Sequence, residues 1–109
     1  MSPKNNIVVK LEREVHVGHI VTDLTMLFGC NTSTPKPVAK FEDIAIANYW
    51  LSEGNQSPLY QVSCRGAAQQ GQEHLEKAYH FEITTIFGEP ISEELEARIR
   101  DTITNAPID

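Results

Sequence analysis

Apolar side chains recur at every second position in some stretches of this chain and at every third or fourth in others, and the two periods predict its elements. In residues 6–15 (Asn-Ile-Val-Val-Lys-Leu-Glu-Arg-Glu-Val), Ile7, Val9 and Leu11 share one face and polar residues take the other beyond Val9, the signature of a half-buried strand. The period then changes. Val17, Ile20, Val21, Leu24, Leu27 and Phe28 follow helical spacing over three turns, and Gly29 stands where a left-handed C-terminal residue would end the helix. A strand over Val15–Val21 competes with this helix because valine, isoleucine and threonine are abundant there.

The last third has the clearest punctuation. Tyr79, Phe81, Ile83, Thr85 and Phe87 alternate with His80, Glu82 and Thr84, which predicts a strand with the first set on one face. Gly88-Glu-Pro90 breaks it. Ser92 is placed to cap a helix whose Glu93 and Glu94 lie at the positive end of the dipole. Ile91, Leu95, Ile99 and Ile103 form an apolar stripe along that helix, worth about 1.5–3 kcal/mol each if fully buried.

The middle of the chain supports two readings. Cys30 to Pro37 reads as a loop, with Thr34 able to cap a further helix and Pro35 at its first position. On a helical wheel Phe41, Ile44, Ala45, Asn48 and Leu51 share a face, and Ile46 and Trp50 fall on the opposite side among Glu42 and Asp43. Read as a strand, Ile44-Ala-Ile-Ala-Asn-Tyr-Trp50 is a buried run turning through Glu53-Gly-Asn-Gln56, and both residues alternate into core. Leu59 to Cys64 alternates as a strand, and Gly66–Lys77 is a long hairpin connection or a poor helix.

A helix of about 12 residues is marginal alone in water and needs an apolar surface to cover. The expected fold is therefore α+β: a small, mainly antiparallel sheet of about three to four strands with two to three helices packed on one face. Residues 1–109 are expected to form a single compact domain, with 1–5 and 105–109 frayed. No linker, repeat or low-complexity tract divides them.

Charge narrows the partners. The formal net charge of −6 splits into +2 over residues 1–40 and −8 over residues 41–109. That is the wrong sign for direct nucleic-acid binding, and it suits a basic protein partner. No apolar run approaches membrane length, and no signal-peptide core precedes the first strand, so a cytoplasmic location and no membrane contact are expected. Cys30 and Cys64 read as small buried apolar side chains.

No chemistry stands out. His16 and His19 are spaced for one helical face, and Cys30, Cys64, His74 or His80 could complete a tetrahedral site, but a zinc pattern has paired ligands at both ends. No metal, cofactor or catalytic residue is assigned, since neither cysteine sits at a helix N-terminus or glycine elbow and no phosphate loop is present. The chain carries no family motif that gives residues roles. The expectation is a small acidic non-enzymatic protein-interaction module, an adaptor, regulator or inhibitor. Its partner-binding candidates are Ile46, Trp50, Glu93 and Glu96, and homo-oligomerisation stays open. The alternative is a small-molecule binder or minor enzyme with a pocket between sheet and helices lined by Tyr60, Cys64, His80 and Phe81.

Overall fold

A computed structural model describes residues 4–37, 44–67 and 75–107. They form β1 (Asn6–His16), α1 (Val17–Leu27), β2 (Thr32–Lys36), β3 (Ile44–Ser52), β4 (Tyr60–Ala67), β5 (Lys77–Thr85) and α2 (Glu93–Thr104). The strands make one antiparallel sheet in the order β1-β5-β4-β3-β2. The α+β class and antiparallel sheet are as expected, but the described residues form five strands rather than three to four, with two helices.

The additional strands come from the middle of the chain. Thr32–Lys36, read as a loop, is the edge strand β2, where Thr32 and Thr34 suit extended backbone. Pro35 is tolerated there because a proline on an edge strand need not donate to the ladder. Residues 44–52 are strand and not helix: the run of isoleucine, tyrosine and tryptophan pairs with β2 on one side and β4 on the other. Phe41, Glu42, Asp43, Gly71 and His74, which the helical, connection and metal readings used, lie outside the described residues.

Helix α1 carries the chain from the β1 edge of the sheet to the β2 edge. It begins without a side-chain cap, Val17 N donating to Glu76 O at 2.9 Å instead. It ends at Gly29, which has φ +72°. Gly29 N donates to Met26 O and Cys30 N to Thr25 O, the paired bonds of a Schellman motif. At the other helix, Ser92 Oγ accepts from Leu95 N at 3.1 Å, as its capping position required.

Both helices lie on one face of the sheet. Ile7 and Val9 of β1, Val62 and Cys64 of β4, Leu51 of β3 and Phe81, Ile83 and Thr85 of β5 are buried beneath Val17, Ile20, Val21 and Leu24 of α1 and Ile99 and Ile103 of α2. Two members of the expected β5 face do not join them. Between Lys10 and Val15 the β1–β5 register slips, so Ala78 takes the buried place and Tyr79 is turned to solvent. Phe87 lies past the strand end and is 63% exposed.

Two arginines tie α2 to β1. Arg13 Nη2 donates to Thr104 O at 3.1 Å and Ala106 O at 2.7 Å, satisfying carbonyls that the helix end leaves free. Arg100 Nη1 donates to Val8 O at 3.1 Å, covering part of the open β1 edge. Lys4 pairs with Ile91 as an isolated bridge, and Ala106 is buried. Among the described residues no helix is long and apolar enough to cross a membrane.

Candidate functional site

Among the described residues, no helix lies over the second face of the sheet. Side chains alternate on a strand, so residues between the buried ones must point the other way, and the register aligns them in rows. One row runs Asn6, Thr84, Gln61, Trp50, Thr34. The next runs Val8, Glu82, Ser63, Asn48, Lys36, and a third runs Lys10, His80, Arg65, Ile46.

Ile46 and Trp50 therefore share this uncovered face. The strand reading sent both into the core; the core instead takes Leu51 from this strand, with Ala45, Ala47 and Tyr49 packed partly against it. The cause is the parity of β3, which is set by its register with β4. Trp50 is 36% exposed, and its ring is held in place: Lys36 Nζ lies 5.2 Å from the ring centroid while donating to Gln61 Oε1 at 3.2 Å. One step beyond the Trp50–Gln61–Thr84 row, Leu59 and Ile86 are neighbours across β4 and β5, with Ile86 N donating to Leu59 O at 3.0 Å. They are 37% and 40% exposed, so this end of the sheet gathers several large apolar side chains in contact with water.

The opposite end of the face is cationic. Partial burial, then the charges of Arg65 and Lys10, hold the His80 imidazole below its ordinary pKa against an opposing pull from Glu82. Neither Lys10 nor Arg65 forms an ion pair with any described residue. The face thus runs from an apolar end at Trp50 to a basic end at Arg65, within a chain that is acidic overall.

The other candidates lie elsewhere. Glu93 and Glu96 are on α2, in the layer on the far side of the sheet from Trp50. Glu96 is already engaged, 3.4 Å from Lys4 Nζ and 3.0 Å from Arg100 Nη2, whereas Glu93 is exposed. Among the pocket candidates, Cys64 and Phe81 are register partners with no solvent exposure, and desolvation pushes the Cys64 thiol up to about 12. Tyr60 is half-buried on the helical side, stacked on Phe28 at 3.9 Å between ring centroids. His80 lies on the other face, so the sheet itself separates it from the remaining three.

Cys30 and Cys64 are both free thiols and both buried. His16 ends β1 and His19 is an exposed residue of α1. Among the described residues no group of three or more His, Cys, Asp or Glu side chains is placed to hold a metal ion. Between the helices, Asp23, Met26, Leu27, Arg98 and Asp101 line an open groove of about 480 Å³ that no sequence pattern had indicated.

The sequence signal that could have found the uncovered face was the pairing of Ile46 with Trp50 on one side of β3. The cationic row was not readable, because its members come from three separate strands. Comparison with protein-family models, with curated proteins and with solved structures returns no match, so the geometry alone carries the functional argument.

Proposed function

We propose that this protein is a non-enzymatic interaction domain and that the uncovered face of its sheet docks a protein partner. One observation carries the reading: among the described residues, helices cover the five strands on one side only, and the other side bears Trp50 and Ile46 rather than a uniformly polar surface. An exposed tryptophan fixed by a neighbouring cation is a preorganised anchor of the kind that dominates binding energy.

The charge on the face selects its occupant. Lys10, Lys36 and Arg65 outnumber the single carboxylate Glu82 in these three rows, so the complementary partner presents apolar side chains flanked by carboxylates. This differs from the basic partner suggested by the overall charge, which suits the exposed Glu93 and Glu94 of α2. The sheet face is favoured over α2 because Glu96 there is already neutralised by Lys4 and Arg100. A role as adaptor, regulator or inhibitor requires only such a surface.

The test is capture of the tagged protein's partners from native lysate, followed by calorimetry with the purified partner. Trp50→Ala should weaken binding by about 30-fold, the equivalent of about 2 kcal/mol for an anchor residue. Arg65→Glu should lower the association rate and its salt dependence, and Glu94→Lys should leave affinity unchanged. A partner that ignores both sheet substitutions and responds to Glu94→Lys would place the docking surface on α2 and defeat the proposal.

A further inference from the structure

We propose that Lys10, His80 and Arg65 form an oxyanion-binding site on the uncovered face, which receives a carboxylate or phosphate group carried by the docked protein. The inference rests on the interaction reading and adds the chemistry of its contact point.

His80 on β5 is the direct partner of Lys10 on β1 and of Arg65 on β4, so the imidazole stands between two cations on three adjacent strands. Residues opposite one another on antiparallel strands have Cβ atoms about 5 Å apart, which puts Lys10 and Arg65 about 10 Å from each other. Long, flexible cationic side chains at that separation can converge on one anion held above the ring. Arginine offers two parallel N–H donors, lysine a point charge and protonated histidine a further donor.

Among the described residues, no carboxylate is a direct register partner of this row. Elsewhere among the described residues Lys4 and Arg100 pair with Glu96, Arg13 with the carbonyls ending α2, and Lys36 with Gln61 and Trp50, while Lys77 and Arg98 stand apart from one another and do not share a row. Lys10 and Arg65 instead stand beside a half-buried histidine. Among the described residues, the charged groups acting on His80 are Arg65 from β4, Lys10 from β1 and Glu82 two residues along its own strand. Glu82 offsets the two cations only in part, since its row lies one step away with Val8 and Ser63 as its direct partners.

An anion over the row favours the imidazolium, so binding raises the His80 pKa, and anion affinity rises as pH falls through it. The imidazole is neutral at pH 7 without an anion, because burial and the two cations hold its pKa below the ordinary value.

The full chain would be titrated with inorganic phosphate, and separately with acetate, at constant ionic strength set by sodium chloride, while the His80 ring resonances are followed by NMR. Phosphate is expected to shift these resonances saturably and to raise the His80 pKa. Lys10→Gln and Arg65→Gln should each weaken the response roughly tenfold, as loss of a charge-assisted contact implies, and Arg98→Gln on α2 should not. Acetate as effective as phosphate at equal concentration identifies a carboxylate of the partner as the occupant; a phosphate-selective response identifies a phosphorylated side chain.

A His80 pKa that is the same in phosphate, acetate and chloride overturns the site, and if Trp50→Ala still weakens partner binding about 30-fold, the docking reading survives that result. Conversely, a saturable phosphate response in a chain whose partner ignores Trp50→Ala and Arg65→Glu leaves the anion site standing and removes the docking reading. Thermal melting of each glutamine variant within a few degrees of the parent excludes misfolding as the cause.

Discussion

The one-sided covering of the sheet can be tested by making the same substitution on both of its faces. Ile83 has no solvent exposure and lies between Ile7 and Val62 in its row beneath the helices. Ile83→Ala removes three carbons and leaves a cavity that close-packed neighbours cannot fill, at a cost of about 2–5 kcal/mol. Ile46 stands beside Arg65 on the uncovered face and is only half-buried. Water can enter the space its side chain leaves, so Ile46→Ala forfeits only part of the transfer energy of three carbons. At about 0.8 kcal/mol per fully buried methylene and roughly half burial, that is about 1 kcal/mol. Urea denaturation measures both. With a slope of about 1.5 kcal/mol per molar for a chain of this size, the midpoint should fall by roughly 2 M for Ile83→Ala and by less than about 1 M for Ile46→Ala. The slopes must match the parent for the comparison to hold. Equal losses at the two sites would mean that the second face is as covered as the first, and the docking surface would then have no basis.

Two further substitutions probe how local geometry holds the frame. Ser92→Ala should cost about 1 kcal/mol, read as a lower melting temperature, because Leu95 N loses its side-chain acceptor, and Ser92→Asp should restore most of it. Gly66→Ala should cost about 1–3 kcal/mol: an added Cβ would run into the Lys77 carbonyl and lie 2.9 Å from Leu75 Cδ1, and backbone cannot yield as a side-chain tip can. Both are checked by calorimetric or urea unfolding, and a neutral Gly66→Ala would show that β4 and the start of β5 are less tightly apposed than described.

What the sequence by itself determined was local. The two-residue period of Ile7, Val9 and Leu11, the helical spacing from Val17 to Phe28 closed by Gly29, and the Ser92 cap with its isoleucine stripe each encode an element within one short segment. Such signals are legible because a strand or helix needs only its own side chains to show which residues share a face. They do not state which face is covered. Ile46 and Trp50 read as core on a strand, yet the pairing of β3 with β4 puts them on the bare side, and the slip between Lys10 and Val15 moved Tyr79 out of a face its own alternation assigned it to. The edge strand Thr32–Lys36 was missed for a related reason: five residues containing a proline carry too little period to be read until β3 offers them a ladder. The tertiary structure alone decided the strand order, the arginine bonds from β1 and α2, and the meeting of Lys10, His80 and Arg65. These are contacts between residues distant in the chain. They follow from how the whole set of apolar faces can be buried at once, which no single segment specifies.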